Sequence, residues 1–214
     1  MNTIAEREAM ISHQLIPRGI QDPRVLDAFR AIPREDFLPE GERGMAYEDS
    51  ALPIEHGQTA SQPYVTARMV ELLQLPSNAT ALEIGTGTGF QTAILAHVAK
   101  EVFAIEWFPD LSTIATRNLL SLGFTHVEIR HGDGLAGWPE KERKFDGILI
   151  SFATPEAPNA LLESLKPGGR LVAPIGNEAS QFIRVYSRRV DGGYDEADFD
   201  AVRFLPRQLG TSSE

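Results

Sequence analysis

The sequence predicts an α/β fold: a mostly parallel, doubly wound sheet with an antiparallel C-terminal strand, preceded by an N-terminal helical extension. Three observations lead there. From residue 80 onward short β-type runs alternate with helical patterns, the sequence form of a parallel sheet covered by helices on both faces. The glycine-rich turn Gly85-Thr86-Gly87-Thr88-Gly89 joins the first such run to the first helix. The first third instead reads as helices and loops.

A polar amphipathic stretch over residues 4–15 opens the chain. Asp22 before Pro23 is a helix start signal for residues 24–31, because an Asp cap satisfies open N–H groups and proline lacks one. Val25, Leu26 and Phe29 supply the apolar face. Between residues 33 and 62 the pattern dissolves into turn residues, but Phe37, Leu38, Tyr47, Leu52 and Ile54 predict an ordered loop packed on the domain. A third helix starts at Pro63, with Val65, Met69, Leu72 and Leu73 along one side. Strands are then expected at 80–84, 102–106, 127–130, 145–151 and 170–174, and helices at 91–99, 110–122 and 157–165. Leu165-Lys166-Pro167-Gly168-Gly169 reads as a helix stop followed by a turn. Two late β runs, 182–188 and 201–205, flank Asp191-Gly192-Gly193 and predict an antiparallel addition at the sheet edge. Residues 210–214 read as a frayed tail.

Of 214 residues, 42% are hydrophobic and 23% charged, a globular composition with ample material for a core. The net charge of −10 disfavours phosphate backbones and anionic lipid, so neither nucleic acid nor membrane is expected as a partner. The absence of cysteine excludes disulfides, thiolate nucleophiles and Cys-ligated metals. Glu6, Arg7 and Glu8 near the start show no secretory pattern, and no apolar run approaches the roughly 20 residues of a membrane span. The expectation is a soluble cytoplasmic protein.

Chemistry concentrates at Glu83-Ile84-Gly85-Thr86-Gly87-Thr88-Gly89. Glycines let a ligand approach the backbone, and the following helix offers free N–H groups. The spacing is G-x-G-x-G, not the G-x-G-x-x-G of dinucleotide sites. Glu106 falls 17 residues after Gly89, where an acid can accept both ribose hydroxyls. Asp133, in His131-Gly132-Asp133-Gly134, follows the third strand of this region, where the same crevice continues. With no Lys or Arg in the glycine loop to neutralise a pyrophosphate, a zwitterionic nucleoside, S-adenosylmethionine, fits better than a dinucleotide. The bland alternatives are a tight strand-to-helix turn for the glycines, a solvated strand end for Glu106 and an Asx turn for Asp133. His56 and His131 lack partners at metal-ligand spacing and read as turn or strand-end residues. No G-x-S-x-G elbow surrounds Ser61, which argues against a hydrolase triad.

With these residues in view, the chain resembles the protein-L-isoaspartate O-methyltransferases, a branch of the Rossmann-like class I S-adenosylmethionine-dependent methyltransferases. The resemblance is carried by Arg18-Gly19-Ile20, Ile32-Pro33-Arg34-Glu35-Asp36-Phe37, Ala46-Tyr47-Glu48-Asp49 and above all Gly57-Gln58-Thr59-Ala60-Ser61-Gln62-Pro63-Tyr64, together with the glycine turn. It implies one methyltransferase domain over 1–214, in which 1–78 extends the acceptor side and 79–210 forms the cofactor-binding core. It implies that Glu83, Gly85, Thr86, Gly87 and Gly89 hold the methionine end of S-adenosylmethionine, Glu106 its ribose, and Asp133 with Gly134 its adenine. Ser61 and Thr59 would stand at the transferred methyl and the acceptor carboxylate, with Gln58, Val202, Arg203 and Phe204 on the peptide side. Ser61 could equally cap the helix that starts at Pro63.

The implied activity is methyl esterification of the free α-carboxylate of L-isoaspartyl and D-aspartyl residues in damaged proteins, the ester then closing to a succinimide without the enzyme. A carboxylate of reference pKa about 3.5 is ionised at pH 7 and needs no general base. Glu55, Ser151-Phe152-Ala153-Thr154-Pro155 and Arg207-Gln208 depart from the family pattern on the acceptor side, which keeps open a same-fold enzyme with another carboxylate acceptor, such as a dedicated partner peptide. A nucleotide-binding module without catalysis and a nicotinamide-dependent enzyme are the remaining alternatives. Because the chain is acidic and the acceptor anionic, Arg203 or another cation is expected to offset the field near Ser61.

Overall fold

The computed structural model describes residues 3–206. Helix α1, Thr3–Met10, runs on into a wider π-type turn at Ile11–Leu15. Helix α2, Pro23–Ala31, starts as expected: the Asp22 carboxylate accepts the Arg24 N–H at 2.9 Å, and Val25, Ala28 and Phe29 are buried. Leu26 lies at the margin of the same apolar face.

The stretch after α2 is ordered without being regular. Single turns at Arg34–Phe37, Glu40–Met45 and Glu55–Gly57 alternate with a two-stranded ribbon, β1 (Leu52–Pro53) and β2 (Thr59–Ala60). Phe37, Leu38, Tyr47, Leu52 and Ile54 are all buried, so apolar anchors, rather than backbone ladders, hold it down. Helix α3, Pro63–Leu72, follows directly.

The sheet then builds from β3 (Thr80–Ile84), α4 (Phe90–Val98), β4 (Glu101–Glu106), α5 (Pro109–Ser121), β5 (Val127–His131), β6 (Phe145–Ile150), α6 (Asn159–Glu163), β7 (Leu165–Gly176), β8 (Gln181–Arg188) and β9 (Tyr194–Val202). Spatial order is β5-β4-β3-β6-β7-β8-β9. The strands from β5 to β7 are parallel, and β8 and β9 each pair antiparallel with the strand before. Strand periodicity splits the core across the two faces. Ala81, Leu149 and Val172 join the cluster under the N-terminal extension, whereas Leu82, Ile148, Ile150 and Leu171 join one around Trp138, Phe145 and Leu161.

Two elements depart from expectation. Strand β7 begins at Leu165, five residues early, and α6 is correspondingly short. Leu165 is fully buried opposite Phe145, and an irregularity in the β6–β7 register absorbs the Pro-Gly-Gly segment, so tertiary burial overrides the local turn signal. The last strand is Tyr194–Val202, not 201–205. Its Asp and Glu residues have poor strand propensity, yet β8 supplies their partners: Arg184 pairs with Asp198 at 2.5 Å, and Arg189, just beyond the strand, reaches Asp195 at 2.8 Å. The tail 210–214 and the Arg207-Gln208 departure lie outside the described residues. Among the described residues no helix is long and apolar enough to cross a membrane.

Candidate active site

The chain leaves β3 to build β4 on one side and later returns to place β6 on the other, so the strand order reverses at β3. A crevice opens at the carboxyl ends of such strands. Here it is a cleft enclosing about 930 Å³ when the open solvent at its mouth is counted.

The glycine turn forms its floor. Gly85 and Gly87 have φ of +90° and +54°, and a Cβ on either would stand 3.2 Å from Phe152 or Ile54. Their bare backbone is therefore what the cleft can present to a ligand. Thr86 lines the cleft beside them. Gly89 does not line it: this residue caps α4 from behind, where a Cβ would meet Ala115 at 3.2 Å. Its place is the helix packing that shapes the turn, not the ligand surface expected of it.

Glu106, at the end of β4 and only 4% exposed, is oriented by the backbone. Its Oε2 accepts the Gly87 N–H at 2.9 Å and the Thr86 hydroxyl at 3.3 Å, and its Oε1 accepts the Phe108 N–H at 3.0 Å. Glu83, on β3, is fully buried: Oε1 accepts from Gln91 at 3.0 Å and Ser151 at 3.3 Å, while Oε2 meets no hydrogen-bond geometry among the described residues. Burial pushes its carboxyl up to about 7 against the opposing pull of Thr92, Gln91 and Ser151, and the Glu106 charge adds to the rise. Asp133 accepts the Leu135 N–H at 3.0 Å, so it makes the Asx turn and lines the cleft at once. Gly134 packs on the end of β3, where a Cβ would fall 2.3 Å from Ile84 Cγ2.

Two carboxylates, Glu106 and Asp133, and the Glu83 carboxyl, about half ionised at neutral pH, thus line the cleft, and no Lys or Arg stands among its lining residues. Such a wall favours a ligand of net positive charge. S-adenosylmethionine, with its sulfonium and ammonium against one carboxylate, fits that charge, the bare glycine backbone and the unsatisfied Glu83 oxygen.

The N-terminal extension borders the same cleft, where β2 and the residues flanking it bring Gln58, Thr59 and Ser61. The Thr59 and Ser61 hydroxyls have no hydrogen-bond partner among the described residues. Ser61 does not cap α3; Gln62 occupies that position and ties its own amide to the Asp49 carbonyl at 3.0 Å. The ribbon is tied to the chain after β4 by His56, whose ring stacks on the cleft-lining Phe108 at 4.5 Å with Nε2 3.4 Å from Asp110. His131 is an exposed strand end, and no metal-binding cluster occurs among the described residues. Glu55 is exposed and outside the cleft lining.

Val202, Arg203 and Phe204 do not reach the cleft. Strand β9 ends at Val202, Arg203 is exposed, and the Gln181 amide brackets Phe204 through its N–H at 2.7 Å and carbonyl at 3.2 Å. The segment touches the site only further on, where Ala153 N–H bonds the Leu205 carbonyl at 2.9 Å and Pro206 joins the wall. The cation beside Ser61 is Arg34, not Arg203. Sequence reasoning missed Ile54, Phe90, Gln91, Trp107 and Phe108 as lining residues, whereas Phe152, expected on the acceptor side, does line the cleft. Trp107 and Phe108, directly after Glu106, could have been found by position; Ile54 carries no local signal.

Fold, switch point and acidic, cation-free cleft define a Rossmann-like class I S-adenosylmethionine-dependent methyltransferase. Residues 5–211 match the family model for protein-L-isoaspartate(D-aspartate) O-methyltransferase. The chain belongs to that family. A relative named protein-L-isoaspartate O-methyltransferase 2, from Marinobacter nauticus, is 47% identical over 201 residues, 94% of this chain and 91% of its own. The protein-L-isoaspartate O-methyltransferase of Yersinia enterocolitica is 47% identical over 207 residues, covering 97% and 98%. Among solved structures, a protein-L-isoaspartate O-methyltransferase superposes with a TM-score of 0.84 at 30% identity, over 94% of this chain and 66% of that longer one, just under two thirds of its length. A Plasmodium falciparum structure described as a beta-aspartate methyltransferase in complex with S-adenosyl-L-homocysteine shares the fold, with a TM-score of 0.80 at 22% identity over 98% and 100% of the two chains.

Proposed function

We propose that this enzyme methylates the free α-carboxylate of L-isoaspartyl and D-aspartyl residues in damaged proteins and peptides of the cytoplasm, initiating their repair. The observation that carries the reading is the meeting of two unlike walls in one cleft. One is acidic and free of cations, suited to S-adenosylmethionine; the other offers the unpartnered hydroxyls of Thr59 and Ser61. Membership of the family supplies the acceptor.

Bound S-adenosylmethionine supplies an electrophilic methyl group on a sulfonium. The chain's own residues bind, orient and exclude water. Glu106, with both oxygens already aimed by backbone N–H groups, holds the ribose hydroxyls through its remaining lone pairs. Gly85, Thr86 and Gly87 receive the methionine end above Glu83, and Asp133 and Gly134 border the adenine. Ser61 donates its hydroxyl proton in a hydrogen bond to the acceptor carboxylate, Thr59 flanks it, and Gln58 borders the peptide. No residue need take a proton, since the acceptor is already ionised at neutral pH. Catalysis then rests on positioning and on a dry cleft, which Ile54, Phe108 and Phe152 help to line.

The test compares labelled-methyl transfer to a peptide carrying isoaspartate with transfer to the same peptide carrying aspartate. Labelling confined to the isoaspartyl peptide is expected. Equal labelling of both sinks the acceptor assignment. Labelling of neither, with cofactor binding demonstrated, leaves a divergent carboxylate acceptor, a reading that Phe152 in the cleft wall would favour.

A further inference from the structure

Arg34 is completely buried, yet no carboxylate lies within ion-pair distance of it among the described residues. Its guanidinium instead gathers carbonyls from separate parts of the extension: Ala46 at 2.5 Å and Ser61 at 2.9 Å, with longer contacts to Ala60 at 3.4 Å and Ser50 at 3.5 Å. Nε has no partner, and the guanidinium carbon lies 5.7 Å from the ring centre of Phe90. Ser61 and Phe90 both line the cleft, so the cation stands one layer behind its wall. An unpaired buried charge is costly and needs a compensating reason. Burial lowers its pKa to about 10, which still leaves it charged at neutral pH.

Resting on the reading that Ser61 meets the acceptor, we propose that Arg34 is the positioning residue of the acceptor site: it clamps the backbone at Ala60 and Ser61 and supplies the positive charge that an acceptor carboxylate meets there. Carbonyl dipoles solvate the guanidinium without cancelling its charge, whereas a carboxylate partner would have. The anion completes the charge balance on docking. This also resolves how a chain of net charge −10 admits an anionic substrate beside an acidic cofactor cleft.

The experiment measures binding of two peptides to the complex with S-adenosylhomocysteine, one bearing the isoaspartyl α-carboxylate and one its neutral α-carboxamide. The native enzyme is expected to favour the carboxylate by about tenfold or more. Arg34→Met is expected to bring that ratio to within about twofold of unity, with the dissociation constant for S-adenosylhomocysteine unchanged. Arg34→Lys keeps the charge and the preference, but one ammonium cannot span the carbonyls, so kcat falls about tenfold. A loss that was merely structural would weaken both peptides equally. An undiminished preference in Arg34→Met overturns the proposal, as does native kcat in Arg34→Lys should the Met variant fail to fold. A native enzyme that methylates no isoaspartyl peptide overturns the functional reading instead.

Discussion

The Glu106 carboxylate accepts the Gly87 N–H at 2.9 Å, so the acid at the end of β4 holds the tip of the glycine turn that follows β3. Two features 19 residues apart in sequence form one unit. The second oxygen, held by the Phe108 N–H at 3.0 Å, fixes the plane of the carboxylate. A group oriented this way loses little freedom when a ribose arrives.

Replacing Glu106 by Gln keeps the size but turns one acceptor into a donor facing N–H groups. Affinity for S-adenosylhomocysteine is expected to fall by roughly ten- to a hundredfold, about 1.4–3 kcal/mol. Titration calorimetry measures it, and an unchanged dissociation constant would remove Glu106 from the ribose site.

Glu83 makes stability depend on pH in a definite direction. Its carboxyl is raised from 4.5 to about 7 in the folded chain, so between those values the folded state holds more protons than the unfolded. The contribution is fully present below about pH 4.5 and is lost as pH rises through 7. Urea unfolding of the ligand-free protein should show this falling limb, worth about 3 kcal/mol at most, and Glu83→Gln should flatten it. The same slope in both proteins would assign the titration elsewhere.

Gly134→Ala drives a methyl group to 2.3 Å from Ile84 Cγ2. The strain should cost about 1–3 kcal/mol in denaturant unfolding and weaken cofactor binding. Ile84→Ala removes the opposing carbon, so the double variant should recover part of the loss, a coupling that a double-mutant cycle reads directly. Strict additivity would contradict the contact.

His56→Ala removes the ring that latches the ribbon to Phe108. Cofactor dissociation should accelerate by about three- to tenfold, the value of one aromatic stack. Trp107, 37% exposed in the cleft lining, provides the fluorescence reporter, because the other tryptophan, Trp138, is 2% exposed in the core. Native dissociation kinetics would show that the ribbon does not gate the cleft.

Most of the α/β core was legible because its signals are local. Strand and helix periods, the Asp22 cap and the position of Glu106 all act within a few residues of where they are written. The N-terminal extension was legible only as ordered, since Phe37, Tyr47 and Ile54 reveal burial but not their partners. The last strand was misplaced because its backbone ladder and the partners of its acids, Arg184 and Arg189, all lie across the hairpin.

By itself the sequence determined the order of the core elements, the glycine turn with its acid, and the Gln58-Thr59-Ala60-Ser61 block on which the family resemblance rests. Tertiary structure alone decided which residues share the cleft. It set Gly89 behind the turn, left Arg203 outside and brought Arg34, 27 residues upstream, against Ser61. The physical reason is that a buried charge is positioned by the long-range packing that desolvates it, which leaves no period or spacing in the chain.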